Sequence, residues 1–217
     1  MKIKWNGHAS FTITSNDGTV LVTDPYDPGG YGGVLKYDTV RDKADGVIIS
    51  HDHADHNYAE GLPGSPRILR GAGDINDIRI KAIETYHDES EGSERGPNVM
   101  FVFTVDGTTI CFMGDLGHQL SKEQIDAVGP VDLLQVPVGG TYTVDADGAA
   151  ELVEALGPRL VMPMHFKTDK CDLPISDAEA FLSLMSNVKR FEENEVDLSY
   201  NNLPSNGPEI WVLNHAC

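Results

Sequence analysis

Six consecutive residues, His51-Asp52-His53-Ala54-Asp55-His56, bring three imidazoles and two carboxylates together directly after the apolar run Gly46-Val47-Ile48-Ile49-Ser50. Residues i and i+2 of an extended segment face the same side, so His51 and His53 can converge on one metal ion. Asp55 and His56, across a turn, reach a neighbouring point. Imidazole and carboxylate ligands suit Zn, Mn, Fe or Ni and need no thiolate. One isolated surface histidine is usually only that, but three with a spaced aspartate at a strand end are hard to explain as a solvated turn. A dinuclear site needs further ligands, and the other histidines are His8, His87, His118, His165 and His215. His87 follows the run Ile78 to Tyr86, Asp115 stands in Met113-Gly114-Asp115 past another apolar run, and His165 ends Met162-Pro163-Met164-His165. Polar residues at several strand ends are what a site on one rim of a sheet requires.

The elements that must position these residues are strands first and strands with helices later. Lys2 to Trp5 and Ala9 to Thr14 alternate apolar and polar residues, and Asn16-Asp17-Gly18 is a hairpin turn before Val20-Leu21-Val22. Strands are predicted over Ile78 to Tyr86, Val99 to Val105 and Thr108 to Met113, with Asp106-Gly107 as a second hairpin turn. Leu133 to Val138, Leu160 to Met164 and Ile210 to Leu213 are further strands. Helices are predicted over Asp145 to Leu156 and Ser176 to Asn187, the latter opened by a Ser176/Glu179 capping box. Strands followed by alternating strands and helices predict two sheets with helices packed outside. No repeat or linker divides residues 1–217, so one domain is expected. Two loops stand out, Asp24 to Tyr37, rich in Gly, Pro and Tyr, and His87 to Pro97, polar and charged; long unstructured loops are often functional.

Composition narrows the function. The 217 residues can bury roughly 70% of their unfolded surface. No apolar run approaches the ~20 residues that cross a bilayer, and the N-terminal residues lack the apolar stretch and cleavage site of a signal peptide. The net charge of −18, with no Lys/Arg cluster, repels phosphate backbones and argues against nucleic acid as a partner. Cys111, Cys171 and Cys217 are odd in number and widely spaced, which fits a reducing cytoplasm rather than a disulfide framework. A homo-oligomer is compatible with this composition.

The intact HxHxDH pattern of His51, His53, Asp55 and His56, followed in order by His87, Asp115 and His165, resembles the metallo-β-lactamase-fold hydrolase superfamily. Within it the chain looks most like small UlaG-like metal-dependent hydrolases, relatives of ascorbate-6-phosphate lactonase. That likeness lies in Gly7-His8-Ala9-Ser10-Phe11, Thr23-Asp24-Pro25, Gly114-Asp115-Leu116-Gly117, Pro137-Val138-Gly139-Gly140 and Pro163-Met164-His165-Phe166. The resemblance implies a mixed α/β, αββα sandwich with its site at one edge and two divalent ions, zinc first among them. It assigns His51, His53 and His87 to one ion, Asp55, His56 and His165 to the other, and Asp115 to a bridging position. It also makes Asp24 a residue behind the ligands that fixes their orientation, and brings His8 near the pocket.

Two such ions, ~3.5–4 Å apart, would hold a hydroxide and polarise a carbonyl or phosphoryl oxygen. No serine nucleophile is then needed, and no GxSxG is present. Asp55 is a candidate to take the proton of the attacking water, and His118 and His8 are candidates for proton delivery or substrate contact. Lys167 could meet an anionic group, with Lys170 and Arg95 as weaker candidates; Tyr142 could line the pocket, and Tyr26 and Tyr31 could form a lid. The expected activity is hydrolysis of a small-molecule lactone, ester or phosphodiester. A nuclease-type phosphodiesterase and a non-catalytic metal-binding scaffold are the alternatives.

Overall fold

Residues 1–217 are all described by the computed structural model. The first half runs β1 (Lys2–Gly7), β2 (Ser10–Thr14), β3 (Val20–Thr23), a distorted single turn α1 (Gly30–Gly33), β4 (Gly46–Ile48), β5 (Arg67–Leu69), β6 (Gly73–Ile75), β7 (Ile78–Tyr86), β8 (Pro97–Val105) and β9 (Thr108–Phe112). The second half runs α2 (Lys122–Val128), β10 (Leu133–Pro137), α3 (Ala146–Leu156), β11 (Leu160–Met164), α4 (Glu179–Leu184), β12 (Val188–Arg190), β13 (Glu195–Asp197) and β14 (Glu209–Val212). A 6-stranded sheet has the order β13-β1-β2-β3-β4-β5, and an 8-stranded sheet the order β12-β14-β11-β10-β9-β8-β7-β6. Both hairpin turns form where the sequence places them. At the second, Asp106 and Gly107 both adopt positive φ (50° and 81°), the twist that a two-residue hairpin turn requires.

The period-two pattern sorts side chains between two cores. Ile3, Trp5, Phe11, Ile13, Leu21 and Ile48 of the smaller sheet join Phe101, Phe103, Ile110 and Phe112 of the larger one in the cluster between them. Each such side chain contributes roughly 1.5–3 kcal/mol when fully buried, so this shared layer holds the sheets face to face. Val22 and Val47, one residue out of phase, join a second cluster with Tyr26, Leu35, Tyr37, Leu62 and Cys171. Helix α2 packs along β7, α3 on β10, and α4 on α3. The class is thus the mixed α/β, two-sheet architecture expected. The outer cover of the smaller sheet, however, is built mainly from loop rather than from long helices.

The helices show where local signals were outvoted. Helix α3 forms over nearly the predicted range, capped by the Asp145 side chain, which accepts from Gly148 N at 2.9 Å. Helix α2 was not predicted, yet it has a complete capping box formed by Ser121 and Gln124. The Ser176/Glu179 box does not form, and α4 covers only Glu179–Leu184 rather than reaching Asn187. Ser176 is committed elsewhere, its N–H donating to Gly139 O at 2.8 Å and its carbonyl accepting from Lys167 N at 2.9 Å. Asp177 instead accepts from Glu179 N at 3.0 Å, and Asn187 turns to a positive φ of 60° just before β12.

Candidate metal centre

Strand ends from both sheets meet at one rim. His8, Asp24 and His165 each follow a strand and adopt left-handed φ of 52°, 34° and 51°, a conformation that non-glycine residues adopt rarely and that clusters at functional sites. The His8 carbonyl accepts from His165 N at 3.1 Å and from Trp5 Nε1 at 3.0 Å. That bond staples the end of β1 in one sheet to the end of β11 in the other. Gly114 (φ 56°) brings its backbone so close to Ser50 and Asn98 that a Cβ would lie 2.5 Å from each side chain. Asn98 then fixes the next residue, accepting from Asp115 N at 3.0 Å.

Around buried Asp115 the imidazoles converge. Its Oδ2 lies 3.1 Å from His56 Nε2, 3.2 Å from His87 Nε2, 3.1 Å from His165 Nε2 and 3.9 Å from His51 Nε2. The opposite nitrogens of three of these rings are occupied. His51 Nδ1 meets Ser50 Oγ at 2.9 Å, His56 Nδ1 meets Asp24 Oδ2 at 2.8 Å, and His87 Nδ1 donates to the Tyr142 carbonyl at 2.9 Å. Asp24 is itself buried and accepts from Ser50 N at 2.7 Å and from Ser50 Oγ. Asp55 is held at both oxygens, Oδ1 by the Tyr31 hydroxyl at 2.9 Å and Oδ2 by His8 Nε2 at 3.1 Å.

The electrostatics follow from burial set against this crowding. Burial, reinforced by His165, pulls the His8 imidazole down to about 4, and burial with His56 pulls His51 down to about 2. At Asp115 burial opposes ionisation, but His165 and His56 outweigh it and hold the carboxyl well below the usual range. Asp55 is likewise held well below, with His56 and His8 overcoming burial. His56 goes the other way, raised well above an ordinary histidine because Asp115 and Asp55 outweigh its burial.

The donor chemistry fits divalent ions. Donor atoms of His51, His53 and His87 lie within 4.8 Å of one another, as do those of His8, Asp55, His56 and His165. His56 Nε2 and Asp115 Oδ1 are buried with no hydrogen-bond partner, an arrangement that costs free energy unless something else binds them. Fixing one imidazole nitrogen so that the other faces inward is the usual support of a metal-ligating histidine.

The structure brings together His8, His51, His53, Asp55, His56, His87, Asp115 and His165, with Asp24 behind them. Tyr142 and Tyr31 line the cavity above, of about 490 Å³, together with Glu94, Arg95 and Leu173. Three expectations are corrected. Tyr26 is no lid: it is 1% exposed, and its hydroxyl donates to the Asn6 and Asp38 carbonyls. His118 lines a neighbouring cavity rather than this one, its Nε2 accepting from Tyr86 N at 3.1 Å. Lys167 is exposed and is not among the cavity's lining residues. Sequence reasoning missed Ser50 and Asn98. The position of Ser50 between a buried strand and His51 was a usable signal; nothing local marked Asn98.

Two facing sheets with His and Asp side chains gathered at their strand ends define a metallo-β-lactamase-type architecture. The beta-lactamase superfamily domain matches residues 2–165. A UPF0173 metal-dependent hydrolase of Thermoplasma acidophilum is 32% identical over 87% of this chain and 92% of its own length. One from Nitratidesulfovibrio vulgaris is 30% identical over 88% and 86%. A Thermotoga maritima structure, described as a candidate Zn-dependent hydrolase of the metallo-beta-lactamase superfamily, is 33% identical with a TM-score of 0.78, covering 98% of this chain and 99% of that one. The chain belongs to the beta-lactamase superfamily, among its UPF0173 metal-dependent hydrolases.

Proposed function

We propose that the chain hydrolyses a lactone, ester or phosphodiester bond in a small molecule, using two divalent ions with zinc ahead of Mn, Fe or Ni. The observation that carries this reading is the pair of donor clusters meeting at Asp115 Oδ2. His51, His53 and His87 would hold one ion, Asp55, His56 and His165 the other, with Asp115 between them. Such ions supply Lewis-acid polarisation of the substrate oxygen and lower the pKa of water toward ~7.

The chain's own residues do the rest. Asp24, Ser50 and the Tyr142 carbonyl lock the rotations of His56, His51 and His87, so that their inward-facing nitrogens are preorganised. Asp55, ionised, is placed to take the proton of the attacking water, while the Tyr31 hydroxyl and His8 fix its carboxylate. His8, buried and pulled down to about 4, is neutral at pH 7 and serves as a positioning residue. A cavity of about 490 Å³ falls in the range of small-molecule sites. The charge of −18 weighs against a nuclease. We place the chain in the UlaG-like branch on the likeness of Gly7–Phe11, Thr23–Pro25, Gly114–Gly117, Pro137–Gly140 and Pro163–Phe166.

The test is elemental analysis of the purified protein combined with hydrolysis of bis-p-nitrophenyl phosphate and a simple lactone. The expected result is about two ions per chain and turnover abolished by a chelator. His53→Ala and Asp115→Ala should each lose metal while keeping the fold by circular dichroism. One ion or none, with no turnover after reconstitution, would replace the hydrolase reading with a scaffold.

A further inference from the structure

We propose that the substrate carries an anionic group, a carboxylate or phosphate, and that Arg95 is the residue that selects it; this rests on the hydrolase reading above. Two cavities adjoin at the rim. The one over Asp115 and His165 is of about 490 Å³, and its neighbour of about 360 Å³ is lined by the carboxylates of Asp88, Glu89 and Asp145. Glu94, Arg95 and Tyr142 line both and so stand at the join. Arg95 is the one Lys or Arg in either lining. In a chain of net charge −18, the field at this mouth would repel an anion without a fixed cation there.

Its placement is built rather than incidental. The Asp88 carboxylate accepts from the backbone N–H groups of Ser90, Gly92, Glu94 and Arg95 at 2.8, 2.9, 3.1 and 2.8 Å. The guanidinium carbon lies 5.9 Å above the centre of the Tyr142 ring, and the carbonyl of Tyr142 holds His87 at 2.9 Å. The anchor and the metal-facing histidine therefore share one support. The guanidinium pairs with the adjacent Glu94 at 3.6 Å, whose side chain is 60% exposed; such a screened surface pair is weak. Most of the five N–H donors remain available for bidentate recognition of a carboxylate or phosphate.

The experiment compares metal-loaded wild type, R95Q and R95K on mono-4-nitrophenyl esters of succinate and glutarate, with 4-nitrophenyl butyrate as the uncharged control. Wild type should prefer a charged ester. R95Q should reduce that preference about tenfold, chiefly through KM, and R95K should restore part of it. A second readout is calorimetric binding of the hydrolysis-resistant glutaric acid monoanilide and of butyranilide. Wild type should favour the acid, and R95Q should lose that bias. If wild type cleaves no ester yet binds the acid through Arg95, the ester reading of the bond fails and the anion site stands. No preference in wild type, by rate or by binding, or a preference unchanged in R95Q, overturns the proposal.

Discussion

Gly117 offers the sharpest test of how the fold sets the centre. A Cβ added there would lie 2.3 Å from the carbonyl carbon of His87 and 2.5 Å from His87 O and Asp88 N. All three are backbone atoms that no rotamer change can move. Carbon atoms pack at about 3.5–4.0 Å, so Gly117→Ala must part the two segments by roughly 1 Å. These segments are otherwise joined by Gly117 N to Tyr86 O at 3.0 Å and Tyr86 N to His118 Nε2 at 3.1 Å. They also carry His87 Nε2 and Asp115 Oδ2, 3.2 Å apart. Misplacing a reacting group by about 1 Å costs on the order of 10²-fold in rate, and overpacking costs about 1–3 kcal/mol of stability. At ~2–4 °C per kcal/mol for a chain of this size, Tm should fall by several degrees. The assay is a circular dichroism melt, bound metal by elemental analysis and kcat/KM on bis-p-nitrophenyl phosphate. Gly71→Ala, whose Cβ would meet nothing within 4 Å, is the control and should match wild type. Wild-type metal content and rate in Gly117→Ala would refute the claim that this close approach sets the His87–Asp115 distance.

Two further variants probe neighbouring links. Asp24→Asn replaces the acceptor of His56 Nδ1 and should weaken metal affinity about 10–100-fold in competition with a chromogenic chelator; unchanged affinity would mean that His56 needs no such support. His118→Ala should lower kcat/KM less than tenfold, since both ring nitrogens of His118 are engaged by backbone, at Tyr86 N and the Gln119 carbonyl, whereas loss of a true general acid costs about 10²–10⁴-fold. A larger drop with an unaltered melt would return His118 to the chemistry.

What could be read from the sequence divides along physical lines. Strands such as Ile78–Tyr86 and Leu160–Met164 were legible because burial imposes a period of two or a continuous apolar run. The gathering of His51, His53, His87, Asp115 and His165 was legible because each lies at, or a few residues past, the end of such a strand. The short strands β5 and β12 were not: three exposed or half-buried residues each carry too little pattern. Helix α4 misled because a capping signal at Ser176 competes with backbone partners 9 and 37 residues away in sequence, at Lys167 and Gly139. Tyr26, Tyr31 and Lys167 could not be sorted either, since residue type alone does not say which way a Gly-rich loop or a strand-end lysine faces.

The loop organised by Asp88 separates two demands that usually conflict. Its backbone path is held by one buried carboxylate acting as a hub for four N–H groups, and no side chain between residues 89 and 95 takes part in those bonds. The side chains at the mouth can therefore change through mutation while the loop keeps its course and the histidines behind it keep their distances. A scaffold of this kind lets specificity drift at low risk to the chemistry, because a chain that keeps every strand-end ligand can still change what it accepts through residues 89 to 95.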